Sequence, residues 1–103
     1  MISQSDKKRF RAIAHQLKPV VTVAGKGLST TVVAEIERAL NDHELIKVKV
    51  NVGDRNERDD IITRLCEQTE SSLIQAIGNV AVLYKKAAQA DPALSNILRA
   101  DVL

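Results

Sequence analysis

The stretch Pro19-Val20-Val21-Thr22-Val23-Ala24-Gly25-Lys26-Gly27-Leu28-Ser29 constrains this chain most. Proline ends whatever element precedes it, and the β-branched run that follows reads as a short strand, Val20 to Ala24, buried on both faces. Two glycines around a lysine break the strand, and Ser29 has the character of a helix N-cap. A strand, a tight loop and a helix start bring bare backbone N–H groups, a helix N-terminus and one cation to a single place. That combination suits a phosphate-bearing ligand. It is not a nucleotide-hydrolase loop, because Lys26 is followed by Gly27 and the GxxxxGK[ST] spacing is absent.

The charge around this loop points to nucleic acid. Residues 1–28 hold six basic side chains (Lys7, Lys8, Arg9, Arg11, Lys18 and Lys26) and one acid, Asp6. Over residues 1–52 there are nine Lys/Arg against five Asp/Glu, and over 53–103 six against eight. The net charge of +2 therefore hides a basic half and an acidic half, and the local field matters more for a charged partner than the total. Aromatic residues are limited to Phe10 and Tyr84, too few for a base-stacking sheet, so binding has to lean on the nucleic-acid backbone.

The 103 residues suffice for one core. A single cysteine, Cys66, excludes an internal disulfide and a cysteine-rich zinc site. With a polar N-terminal stretch and no apolar run near ~20 residues, the expectation is a cytoplasmic protein with no membrane span.

Periodicity supplies the remaining elements. Phe10, Ile13, Ala14 and Leu17 make the apolar stripe of a helix over 5–17. Lys7, Lys8, Arg11, His15 and Lys18 fall on about a quarter of its circumference, away from that stripe. A second helix runs from Ser29 to about Asn41 with Val33, Ile36 and Leu40 inward. Residues 43–52 alternate: Ile46, Val48, Val50 and Val52 face the core, and Leu45, Lys47, Lys49 and Asn51 form a partly basic outer face.

Asp54 and Glu57 have capping-box spacing ahead of a third helix with Ile61, Ile62, Leu65 and Cys66 inward. Leu73–Gly78 and Val80–Tyr84 form a hairpin about Gly78-Asn79. Asp91-Pro92 opens a short helix striped by Leu94, Ile97 and Leu98. The fold class is α/β, a four-stranded mixed sheet with three helices in the order α-β-α-β-α-β-β plus a short C-terminal helix.

Three segments carry a family resemblance over residues 4–86: Leu17-Lys18-Pro19-Val20-Val21 leading to Gly27-Leu28-Ser29, Ala34-Glu35-Ile36 with His43-Glu44-Leu45-Ile46-Lys47-Val48-Lys49-Val50, and Ile77-Gly78-Asn79-Val80-Ala81-Val82-Leu83-Tyr84-Lys85. Together they resemble the CRM domain (chloroplast RNA splicing and ribosome maturation) in its bacterial single-domain, YhbY-like form. The resemblance implies a fold similar to the C-terminal domain of translation initiation factor three. It also implies RNA binding through a GxxG-like loop, and association with precursors of the large ribosomal subunit. In this chain the loop reads Ala24-Gly25-Lys26-Gly27, with alanine at the family's first glycine, so Gly25 is expected to supply flexibility one residue later.

The expected RNA-binding residues are Ala24, Gly25, Lys26, Gly27 and Leu28 in the loop, Lys7, Lys8, Arg11 and Lys18 beside it, and Lys47, Lys49 and Lys85 on the strands. The expected organisation is an RNA-binding domain over 1–86 and an extension over 87–103. The expected partner is RNA, ribosomal and part of the large-subunit precursor. Neither cofactor, metal nor catalytic residue is expected: Cys66 reads as a small buried hydrophobe, and His15 and His43 lie in different elements. Arg55 and Arg58 read as local ion-pair partners of Asp54, Glu57, Asp59 and Asp60. An adaptor that docks on an acidic protein through the outer sheet face or the Leu94/Ile97/Leu98 helix is the alternative of a different class.

Overall fold

The computed structural model describes residues 2–25 and 27–102, with side chains through residue 100. Its elements run α1 (Gln4–Ala14), β1 (Pro19–Val23), α2 (Thr30–His43), β2 (Leu45–Val50), α3 (Arg55–Thr69), β3 (Ser72–Ile77), β4 (Val80–Tyr84) and α4 (Asn96–Val102). The sheet order is β1-β2-β4-β3. β1 and β2 are parallel neighbours joined through α2, and β4 pairs antiparallel with both β2 and β3. The α/β reading, with four strands in one mixed sheet, describes the molecule.

Short polar side chains start the three longer helices. Ser3 accepts the Asp6 N–H at 3.0 Å, Ser29 the Val32 N–H at 3.1 Å, and Asp54 Oδ1 the Glu57 N–H at 2.9 Å. Each such cap contributes about 1 kcal/mol.

Each sheet face carries its own apolar cluster. On one, Ile36 and Leu40 of α2 and Ile62 and Leu65 of α3 pack on Val21, Val23, Ile46, Val48, Val50, Ala81 and Leu83. On the other, Phe10 and Ala14 of α1 and Ile97 of α4 pack on Leu45, Ile74 and Val82. Phe10 lies against Tyr84 with ring centroids 4.5 Å apart.

Several expectations need correction. β1 is not buried on both faces: it is an edge strand, with Val21 and Val23 inward but Val20 half exposed and Thr22 exposed. The β2 face carrying Leu45 is not simply an outer surface, because α1 and α4 cover its Leu45 end. In α2, Val32 rather than Val33 packs on the core.

Helix α1 ends at Ala14, and turns at Gln16 and Leu17 lead to β1. The last helix starts at Asn96, not after Asp91-Pro92. Asp91 instead closes a turn by accepting the Ala93 N–H with its side chain and the Leu94 and Ser95 N–H groups with its carbonyl.

Seven residues of α4 are too few for a helix to hold alone. Tertiary contacts hold it. Ile97 is buried, and Asn96 Nδ2 donates to the Leu45 carbonyl at 2.7 Å. Ser95 is fully buried and donates its hydroxyl to Glu44 Oε1 at 2.6 Å. Burying an isoleucine contributes roughly 1.5–3 kcal/mol before entropy is subtracted. Ala87, Ser95 and Ile97 are thus buried against the preceding elements, while Leu94 stays 39% exposed.

Candidate nucleic-acid interface

The glycine loop stands at a defined end of the sheet. β1 and β2 finish together: Val23 pairs with Val50, and Asn51 N–H donates to the Val23 carbonyl at 2.8 Å. The β3–β4 turn lies at the same end, since Val50 N–H donates to the Asn79 carbonyl at 2.6 Å and Lys49 pairs with Val80. The loop after Val23, the Gly78-Asn79 turn and Lys49 therefore share one edge of the molecule.

Within the loop, the Gly27 N–H donates to the Ala24 carbonyl at 2.8 Å, closing a tight turn, so that amide is used inside the loop. The left-handed backbone falls at Gly27, with φ +71, and at neither Ala24 nor Gly25. Alanine at the family's first glycine position therefore meets no backbone conflict here. A Cβ on Gly25 would meet nothing within 4 Å, so the top of the loop is open. Leu28 packs on the core and anchors its far side. Lys26 lies outside the described residues.

The bare part of the sheet begins where α1 stops covering it. Arg11 and His15 of α1, Lys47 of β2, Gln75 and Ile77 of β3, and Val80 and Val82 of β4 line a recess of about 250 Å³. Among the described residues no carboxylate lines it, and Ile77 at its rim is 66% exposed. Lys47 also belongs to an adjoining groove with Lys18, Val20 and Arg99. Arg11, Lys18 and Lys47 are thus brought together with Arg99, and Lys49 lies one pleat along from Lys47 toward the loop.

Other expected residues stand apart. Lys7 is half-buried one helical turn before Arg11, with exposed Lys8 beside it. Lys85 follows β4 at the end opposite the loop, where its N–H donates to the Glu44 carbonyl at 3.0 Å. The five residue steps from Val80 to Lys85 span roughly 17 Å at strand rise.

Arg99, Gln75 and His15 are polar lining residues outside the set expected from the sequence. Arg99 reaches the groove only because α4 folds back against α1 and β2. Gln75 is hidden by a register shift between Leu73 and Gln75, which breaks the simple alternation of β3. His15 lies on the basic stripe of α1, and that stripe was its signal.

Near the loop, the helix-three arginines depart from expectation. Asp54 is occupied as the N-cap, and among the described residues of α3 the ion pair formed is Arg64–Asp60 at 3.4 Å. Arg58 Nε is instead buried without a hydrogen-bond partner. Arg58 sits one turn before Ile61, the side chain that approaches Gly27.

Two side chains have their proton affinities shifted by their surroundings. Partial burial pushes the Cys66 thiol up, and the neighbouring Glu67 charge adds to this against a hydrogen bond from Ser71. Burial also raises Tyr84, helped by Glu44 and Asp6 and opposed by Arg9. Among the described residues no group of three or more His, Cys, Asp or Glu could hold a metal ion. Nor is any helix long and apolar enough to cross a membrane.

Comparison with known proteins agrees with this architecture. The model of the CRS1/YhbY (CRM) domain matches residues 2–85. A Pseudomonas aeruginosa protein named "Probable RNA-binding protein PA4753" is 49% identical over 98 residues, which cover 95% of this chain and 94% of that one. A Haemophilus influenzae protein named "RNA-binding protein" is 44% identical over 89 residues, covering 86% and 90%. The solution structure of Staphylococcus aureus SAV1595, described as a candidate RNA binding protein, superposes with a TM-score of 0.76 at 28% identity, over 86% of this chain and 93% of that one. Sequence and backbone agree along nearly the whole chain, and the chain belongs to the CRS1/YhbY (CRM) domain family.

Proposed function

We propose that this chain is a non-enzymatic RNA-binding protein that acts in ribosome assembly on precursors of the large subunit. One observation carries the reading: the open glycine loop and the bare sheet end share one edge of the molecule with Lys49; Arg11 and Lys47 line the recess with no carboxylate among its described residues, and Lys18 and Arg99 extend the basic surface toward the other end of β1. The names of the related proteins support the same class of ligand.

The mechanism is backbone clamping. The open loop and the start of α2 meet a phosphate, and Lys26 adds charge there. Arg11, Lys18, Lys47 and Lys49 hold neighbouring phosphates, with Lys7 and Lys8 extending the track along α1. Phosphate contacts of this kind set position and affinity and carry little sequence information, which favours shaped RNA over a short motif. Lys85, at the far end, serves only an RNA large enough to wrap the domain. A cytoplasmic location follows from this target.

The helix surface of the adaptor reading is reduced, since Ile97 is buried against the chain's own sheet and Leu94 remains exposed. Crosslinking in cells followed by sequencing of the attached RNA tests the proposal. Large-subunit precursor RNA dominated by one region is the expected result. Recovery of no ribosomal RNA above background overturns the assembly role.

A further inference from the structure

We infer that the recess between α1 and the bare end of the sheet is a subsite for one unstacked nucleotide of single-stranded RNA. The base lies on the aliphatic floor, its edge meets Gln75, and its phosphate meets Arg11 and Lys47. This rests on the RNA-binding reading above and refines it.

The strand register supplies the geometry. Lys47 pairs with Val82, and Val82 pairs with Gln75, so cation, aliphatic floor and amide lie in one row across three strands. Two interstrand spacings put the ends of that row about 10 Å apart, the reach of a nucleotide from phosphate to base edge. The next row, Lys49–Val80–Ile77, repeats cation and aliphatic floor one step nearer the glycine loop. Arg11 and His15 form the wall from above.

Chemistry narrows the ligand. Two cations, with no carboxylate among the described lining residues, favour an anion. A floor of Ile77 and Val80, with Ile77 66% exposed and the buried Val82 at its inner edge, favours a flat apolar face beside that anion. The glutamine amide has both donors and an acceptor for a polar edge. A nucleotide joins all three features.

The aromatic rings cannot serve instead, because Phe10 and Tyr84 lie against each other at 4.5 Å. A recess of about 250 Å³ admits one splayed base, whereas the bases of an RNA duplex stay stacked and out of its reach.

Binding of eight-nucleotide RNAs, one of each base and one with abasic ribose throughout, tests this by fluorescence anisotropy. Wild type is expected to prefer base-bearing strands about tenfold over the abasic strand. Gln75→Ala should reduce the spread among the four bases severalfold and leave the salt dependence unchanged. Lys47→Ala should weaken all strands alike and lower the salt slope by about 0.7.

Ile77→Thr, at an exposed position that the fold does not need, should reduce the preference over the abasic strand. Thermal melting confirms that each variant is folded. Equal, salt-dependent binding of abasic and base-bearing strands by wild type overturns the subsite and leaves the RNA reading standing. Unchanged base discrimination in Gln75→Ala overturns the assignment of the base edge. Failure of wild type to bind any of these strands at low salt overturns the subsite, and failure to bind a structured ribosomal RNA fragment as well overturns the RNA reading.

Discussion

The hydroxyl of Ser95 donates to Glu44 Oε1 at 2.6 Å, across 51 residues of chain and fully out of solvent. The other carboxylate oxygen accepts the Ala87 N–H at 2.9 Å. Glu44 itself sits at φ +61, a conformation that glycine would adopt more easily. A glutamate is found there because its carboxylate ties the C-terminal segment to the junction of α2 and β2. Glu44→Ala leaves two buried donors without an acceptor, at a cost of about 1–3 kcal/mol.

A Tm lower by several degrees is therefore expected for Glu44→Ala, since ~1 kcal/mol moves the Tm of a domain this size by about 4–8 °C. Ser95→Ala should show a smaller drop. The chain cut after Lys86 should still unfold cooperatively and bind RNA, but at lower temperature, because it also loses the burial of Ile97. Calorimetry checks all three, and a non-cooperative melt of the truncated chain would show that residues 87–103 complete the core.

Gly27→Ala should destabilise the fold by about 1–2 kcal/mol, because φ +71 is costly for any residue with a Cβ. Space is not the reason: an added Cβ would lie 3.9 Å from Ile61 Cδ1, an ordinary contact. Ala24→Gly restores the family pattern at a site that needs no glycine, so RNA affinity should stay equal or rise slightly. A large loss of binding in Ala24→Gly would mean that the loop is wrongly aligned with the family.

RNA binding should be mainly electrostatic. Four to six phosphate contacts on single-stranded or irregular RNA give a slope of log K against log salt on the order of −3 to −4. Lys26→Ala should cost roughly 1–2 kcal/mol, the scale of one charge-assisted hydrogen bond, and leave the melting temperature unchanged. Titrations at several salt concentrations measure both, and a slope near zero would contradict the interface.

The Cys66 thiol should be unreactive near neutral pH. Burial favours its uncharged form, so the folded-state pKa lies above that of the unfolded chain. The alkylation rate of the native protein should therefore rise at higher pH than that of the denatured protein. The linked stability is present below the unfolded pKa and lost as pH rises through the folded one. Cys66→Ser should retain RNA binding, and loss of binding without loss of fold would give the thiol a functional role.

Much of this protein was legible along the chain because the signals were local. Ser29 and Asp54 cap helices through atoms three residues away, Pro19 ends one element and opens the next, and Gly78 permits the two-residue turn. The basic stripe of α1 and the glycine loop could be seen for the same reason. Strand neighbours could not. Whether Val20 is buried depends on β1 lying at an edge, which the order β1-β2-β4-β3 decides and no short-range pattern encodes. Alternation with Lys47 makes Leu45 read as outward, yet α1 and α4 cover one end of that face and leave the other bare. The row Lys47–Val82–Gln75 exists only through strand register, and Arg99 joins Lys18 only because Glu44 and Ser95 meet. Local chemistry sets caps, turns and faces over a few residues, whereas a site assembled from four distant segments waits for the packing that brings them together.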